Sequence, residues 1–190
     1  PFAQPWVILE REGNRVGVIG VMGQDAATAL IPSNIAGLTV LPPVEVVPAL
    51  VRKLRPECDL IVGLTQLGET APMQTDDEAD ASVQRGNEAN LELAGSVVGI
   101  DLILGGHTDA GTREALIQPL TGTAVMQTYG QGQHLGVAEF TVSDKAVDFE
   151  GGRLITVNAD ELAADPEIAA RLDAYRELHP DLYVPVGTLE

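Results

Sequence analysis

The 190-residue sequence holds one cysteine, Cys58, so no disulfide can close within the chain and no cysteine-rich metal site can be built. A lone thiol of that kind suits packing at the foot of a strand. Aromatic residues make up only 4%, which leaves the core to aliphatic side chains. Basic residues are scarce, 11 against 28 acidic ones, for a net charge of -17. Such a surface repels phosphate backbones and anionic headgroups, so neither nucleic acid nor a membrane is an expected partner. No apolar run approaches the roughly 18 residues of a membrane-spanning helix, and no basic-then-apolar leader opens the chain. An initiator methionine is lacking too. The opening Pro1-Phe2-Ala3-Gln4-Pro5-Trp6 reads as that of a processed or excised piece.

What is present is 45% hydrophobic residues, enough for one domain with a sizeable core. The most informative stretch runs from Gly99 to Asp109, Gly-Ile-Asp-Leu-Ile-Leu-Gly-Gly-His-Thr-Asp. Its apolar run predicts a short parallel strand buried on both faces. Gly105 and Gly106 then predict a sharp turn through backbone angles closed to other residues. His107 and Asp109 follow where ligands bind in open α/β sheets, at a strand's carboxyl end. A second strand, Asp59 to Leu64, ends similarly in Thr65-Gln66-Leu67-Gly68. Side by side, the two ends would make a crevice.

Other elements follow from local signals. Val7–Glu10 and Val16–Met22 read as a hairpin turning at Gly13-Asn14, the second strand central, with glycines suggesting close approach of a neighbouring backbone. Residues 23–43 read as a loop with a brief strand at Leu38–Leu41. Val47, Leu50, Val51 and Leu54 share a helical face, and Pro48 places the start of regular helix near Val47, or a kink there. Glu69–Glu92, with seven acidic residues, reads as a solvated loop. It lacks the Asp-x-Asp-x-Asp-Gly spacing of a calcium site and passes into a helix with Leu91, Ala94, Val97 and Val98 on one side and Gly99 as its stop. Thr123–Thr128 and Leu135–Val142 read as a strand pair, and Ala146–Val157 as a continuation of the meander broken at Gly151-Gly152. Asp165 caps a last helix with Pro166 in its first turn and a stripe of Ile168, Leu172, Tyr175 and Leu178, ended by Pro180. The fold class is α/β, with parallel strands early and an antiparallel meander late.

Four segments together resemble the 5'-nucleotidase branch of the calcineurin-like metallophosphoesterases: Val16 to Val21, Asp59 to Gly68, Gly99 to Asp109, and Gly132-Gln133-His134-Leu135-Gly136, with Pro5-Trp6 ahead of the first hairpin also similar. The order and spacing of these motifs match the family, and Glu69–Glu88 is the least matched part. The resemblance implies part of an α/β/β/α sandwich: residues 1–158 as the later half of the catalytic domain, 159–180 as a linker helix, and 181–190 as an extended tail toward a further domain. It also implies two divalent metals (Mn, Zn, Fe or Mg), set about 3.5 to 4 Å apart to act on a phosphoester such as a nucleoside 5'-monophosphate. The metals' charge would let so acidic a protein accept an anionic substrate. A periplasmic or extracellular location is implied as well.

Family members open with Asp-x-His, Gly-Asp and Gly-Asn-His-Asp/Glu motifs, and none occurs here. The chain is thus expected to be an inactive piece of a phosphoesterase, with no catalytic residue of its own, or else a non-catalytic binding or scaffold module. A thiosulfate-ester hydrolase of the same fold fits the motifs too. His107 matches the family's metal-binding histidine, and Asp109 stands where the family varies, as a carboxylate ligand or as the cap of a turn. Gln66 replaces a ligating histidine and offers either a weak amide ligand or a structural turn amide. His134 is read as packing in its turn, and His179 as capping a helix end.

Overall fold

A computed structural model describes residues 3–68, 86–143 and 146–184. The described residues fall into two compact units, one within 1–156 and one within 157–190. In the first unit, β1 (Trp6–Arg11) and β2 (Asn14–Met22) form a hairpin; α1 (Gln24–Thr28) and α2 (Pro43–Leu54) lead to β3 (Leu60–Gln66). Then α3 (Glu88–Ser96) leads to β4 (Leu102–Gly105), β5 (Leu116–Ile117), β6 (Ala124–Gln127), β7 (His134–Val142) and β8 (Val147–Thr156). The six-stranded sheet has the order β1-β2-β3-β4-β6-β5, and β7-β8 is a separate antiparallel pair. β2, β3, β4 and β6 are mutually parallel; β1 and β5 run antiparallel on the edges. The mixed α/β class, with a mainly parallel sheet and a closing antiparallel hairpin, is as the sequence implied.

Alternation of side chains gives this sheet two faces. Ile19, Ile61, Ile103 and Val125 point to one side and pack against Val47, Val51 and Leu54 of α2 and Leu93 and Ala94 of α3. Val62, Leu102, Ala124 and Met126 point to the other and meet Ala138 and Phe140 of β7 and Phe149 and Leu154 of β8. The cover on this second side is partial. Val7 is 42%, Leu9 36% and Leu64 46% exposed, all on the β1–β3 half of that face. At the strands' amino ends, Arg55 ties the first layer together, pairing with Asp101 at 2.8 Å and donating to the carbonyls of Cys58 and Asp59. Asp101 also accepts from the Ile61 amide at 2.6 Å, so the acidic starts of both apolar strands serve as anchors.

Several expectations change. The first hairpin turns at Glu12 and Gly13, both at positive φ (50° and 84°), the backbone of a tight two-residue hairpin loop, and not at Gly13-Asn14. β2 lies inside the sheet as expected, but Gly17 makes room for a side chain: a Cβ there would stand 2.9 Å from Cys58 Sγ, while Gly20 faces open space. Cys58 itself is buried. Residues 23–43 contain α1 and a 3-10 turn at Pro32–Asn34, with no strand at Leu38–Leu41. α2 begins at Pro43, not near Val47, and runs through Pro48. The carbonyl freed by that proline is Val44's, on an exposed first turn, and burial of Val47, Val51 and Leu54 holds the helix.

Val98 is 80% exposed because α3 has already ended at Ser96; the buried face of α3 is Asn90, Leu93 and Ala94, continued by Val97. β6 joins the first sheet beside β4 and does not pair with β7. A short, continuously apolar run suits either neighbour, so its partner could not be read from pattern alone. β8 is unbroken at Gly151-Gly152 and carries a register shift opposite Glu139/Phe140 instead. The acidic-loop reading of Glu69–Glu92 lies outside the described residues up to Arg85.

In the second unit, α4 (Pro166–Leu178) has the expected cap: Asp165 Oδ1 accepts from the amides of Glu167 and Ile168 at 2.9 and 3.1 Å. Its apolar stripe is exposed, Ile168 at 53% and Tyr175 at 65%. His179 is the C-cap residue, and Pro180–Tyr183 forms a 3-10 turn where an extended tail was expected; residues 185–190 lie outside the described set.

Candidate functional site

The carboxyl ends of β3 and β4 are adjacent, Leu64 opposite Leu104, and Gly105 of β4 lies opposite Gln127 of β6. Residues at the end of β3 alternate in direction. Thr65 points to the helix layer, where its hydroxyl donates to Asn90 Oδ1 at 2.6 Å. Gln66 points the opposite way and is exposed, and its amide nitrogen lies 3.4 Å from His107 Nδ1. The structure therefore brings Gln66 and His107 together. Asp109 it places over the next loop: a Cβ on Gly130 would stand 2.7 to 2.9 Å from its carboxylate atoms.

The glycine pair works differently from the sequence expectation. The left-handed residues of this corner are His107 (φ 82°) and Asp109 (φ 54°), and neither Gly105 nor Gly106 has positive φ. The glycines are needed for space. A Cβ on Gly105 would fall 2.5 Å from the Gln127 amide and 2.6 Å from the Asn90 amide, and one on Gly106 would fall 2.8 Å from Gln66 Oε1. Side chains with a Cβ rarely adopt left-handed angles, and such residues concentrate at functional sites.

Beneath the corner lies a bed of buried polar groups that no local sequence motif marks. Asn87, Asn90, Thr108 and Gln127 are at most 3% exposed. Asn87 Nδ2 donates to the Ala110 carbonyl at 3.1 Å. One amide atom of Gln127 faces the backbone N–H groups of Asp109 (3.2 Å) and Ala110 (3.0 Å) and the Thr108 hydroxyl (2.7 Å), so that atom is the carboxamide oxygen. Reciprocal bonds between Gln127 and Thr112 fix the end of β6 against the same loop. The signal was present in the sequence: Asn90 stands three and four residues ahead of Leu93 and Ala94, a polar residue on the apolar face of a helix.

His134 opens β7, its ring tilted against Tyr129 at a 5.0 Å centroid distance, which matches the packing role expected of it. It borders a hollow of about 350 Å³ shared with Arg113, Leu154 and Thr156.

As a donor set for a metal, the corner offers one imidazole and one neutral amide. Among the described residues no three His, Cys, Asp or Glu side chains converge on a point that could hold an ion. These donors fit part of a coordination sphere and require others from elsewhere to complete it.

No protein-family model matches the chain. It is 27% identical over 177 residues to the trifunctional nucleotide phosphoesterase protein YfkN of Bacillus subtilis, a match covering 90% of this chain and 11% of that protein. It is 25% identical over 174 residues to a 5'-nucleotidase of Vibrio cholerae, covering 82% of this chain and 30% of that one. The resemblance to the 5'-nucleotidase and calcineurin-like phosphoesterase family holds. Solved structures agree at the level of fold. The Thermus thermophilus sulfate thiohydrolase SoxB superposes with a TM-score of 0.73 at 21% identity, over 93% of this chain and 29% of that one. The calcineurin-like phosphoesterase YfkN of Bacillus subtilis follows at 0.59 and 18% identity, over 92% of this chain and 57% of that one. The chain thus spans less than a third of the curated phosphoesterases it matches.

Proposed function

We propose that this chain is one part of a metal-dependent phosphoesterase that hydrolyses nucleoside 5'-monophosphates or related phosphoesters, and that it contributes an incomplete metal corner to that enzyme. The observation that carries the reading is the meeting of Gln66 and His107 at the ends of adjacent parallel strands, in a chain whose curated relatives are nucleotide phosphoesterases. His107 would hold a divalent metal through its imidazole, with Gln66 offering its amide oxygen and Asp109 its carboxylate at the rim. When bound, the metal acidifies water and neutralises charge developing on the phosphoryl oxygens. This chain's own part is to hold those donors at a rigid strand end, above a buried hydrogen-bonded bed.

The half-covered sheet face supports the same proposal. Val7, Leu9 and Leu64 leave an apolar surface suited to a further layer, which we assign to the rest of the parent protein along with the remaining ligands. A separate specificity domain and a periplasmic or extracellular location belong to the proposal as well; no described helix is long and apolar enough to cross a membrane.

A second reading, a non-catalytic module of this fold, is favoured by Gln66 standing where the family resemblance places a histidine and by the lack of a three-ligand cluster among the described residues. The test is to assay the purified 190-residue chain with Mn²⁺ or Zn²⁺ on a nucleoside 5'-monophosphate. No turnover is expected, and substantial turnover contradicts the incomplete corner. The same assay on the full-length parent separates enzyme from scaffold.

A further inference from the structure

We propose that Gln127 is the positioning residue of the His107–Asp109 turn: its buried carboxamide oxygen, accepting from the Asp109 and Ala110 amides, sets the left-handed backbone that presents the corner's donors. The clause about donors rests on the function proposed above; the clamp on the turn rests on geometry alone.

Two residues bearing a Cβ, His107 and Asp109, adopt left-handed angles within three positions, a backbone that needs outside support. The chain supplies it from three directions. Asn87 reaches from the start of α3 to the Ala110 carbonyl, Thr108 lies 3.1 Å from the Gly86 carbonyl, and Gln127 comes up from β6. Of these, Gln127 alone addresses two consecutive backbone donors of the turn, at 3.2 and 3.0 Å, with the Thr108 hydroxyl as a third contact at 2.7 Å. Its own backbone cannot yield. Gln127 pairs with Gly105 across β4 and β6, its amide donates to Thr112 Oγ1 at 3.0 Å, and its carbonyl accepts from Thr112 N at 2.8 Å.

The route taken by the side chain is equally specific. It passes the α-carbon of Gly105, where any Cβ would stand 2.5 Å from the amide tip. The second glycine of the pair has a matching task on the open side, since a Cβ on Gly106 would press on Gln66. Gly105 therefore clears the clamp and Gly106 clears the proposed ligand, which accounts for a glycine pair without positive φ. At 3% exposure Gln127 is too deep to touch a substrate, so its action on the site goes through the turn.

The experiment uses the 190-residue chain with Gln127→Met, which keeps length and loses the acceptor, and Thr123→Val as a control. Thr123 donates to the Ile100 carbonyl at 2.8 Å near the opposite end of β6 and is equally buried. Amide hydrogen exchange and the His107 ring resonance under Zn²⁺ titration are recorded for each. In Gln127→Met the Asp109 and Ala110 amides should exchange at least tenfold faster, with β3 and β4 amides unchanged and Zn²⁺ affinity at the His107 ring reduced by about tenfold. Thr123→Val should lower the unfolding midpoint without either local change. Unaltered Asp109 and Ala110 exchange in Gln127→Met, or equal loosening in Thr123→Val, overturns the proposal. If Gln127→Met fails to fold, Gln127→Asn decides, because it keeps the amide but withdraws it by one methylene. Intact protection of the two amides there overturns the clamp, and loss supports it. A wild-type His107 ring that ignores Zn²⁺ contradicts the metal reading of function and leaves the exchange result to judge Gln127.

Discussion

The two faces of the six-stranded sheet are built from the same kinds of residue and end differently. On the helix side, Ile19, Ile61, Ile103 and Val125 are all fully buried beneath α2 and α3, and at the carboxyl end the polar bed of Asn87, Asn90 and Gln127 continues the same layer. On the opposite side, β7 and β8 cover β4 and β6, while Leu64 and Val7 remain over 40% exposed and Gln66 stands at the rim. The first face secures the fold. The second exposes apolar side chains among the described residues, and the candidate site lies at its edge. Substitutions on the two faces should therefore differ in cost, most of all at Ile103 and Leu64.

The largest contrast should come from truncating one apolar side chain on each face. Ile103→Ala should cost about 2–5 kcal/mol by loss of packing and creation of a cavity, whereas Leu64→Ala should cost under about 1 kcal/mol. Urea denaturation of the two variants measures both; equal losses would show that the second face is as tightly packed as the first. Next come two strand glycines. Gly105→Ala forces two buried amides apart and should cost about 1–3 kcal/mol, while Gly20→Ala, with open space around it, should stay within about 0.5 kcal/mol by thermal unfolding. A smaller effect is expected from Leu64→Lys. It should lower binding of a hydrophobic dye and concentration-dependent association while leaving the unfolding midpoint nearly in place, and unchanged dye binding would argue against an exposed apolar face.

The smallest effect concerns Cys58, whose thiol is pushed up from its ordinary range first by burial, against the opposing charges of Arg15 and Arg55. Because the unfolded thiol ionises before the folded one, this contribution is complete below the unfolded value. It declines as pH rises through that value toward the raised one. Alkylation of Cys58 at neutral pH should therefore be slower than that of a free thiol, and a rate equal to the free thiol's would place it outside the layer.

Much of this arrangement was legible in the sequence, because continuous apolar runs behind an aspartate mark parallel strands. Asp59 with Leu60–Val62 and Asp101 with Leu102–Leu104 gave two neighbouring strand ends correctly, and with them the meeting of Gln66 and His107. What stayed hidden depends on long-range contact. Gln127 reads as an unremarkable polar end to β6, and only the turn it meets, 17 to 18 residues earlier in the chain, gives it meaning. Asn90 interrupts a helical apolar face and is tolerated there because Thr65, 25 residues away, supplies a partner. The Gly105-Gly106 pair suggests conformational freedom, yet clearance for two amide side chains is what it provides. The sheet to which β6 belongs is not legible, because an apolar run of four residues carries no record of its neighbour.

In the proposed function, His107 is the imidazole donor of an incomplete metal corner that it shares with Gln66 and Asp109. The most direct test of that role is the hydrolysis of a nucleoside 5'-monophosphate by the full-length parent in the presence of Mn²⁺, compared with the same protein carrying His107→Ala. A fall in turnover of at least about 100-fold is expected, with the fold intact by circular dichroism. Turnover equal to that of the unaltered protein would contradict it.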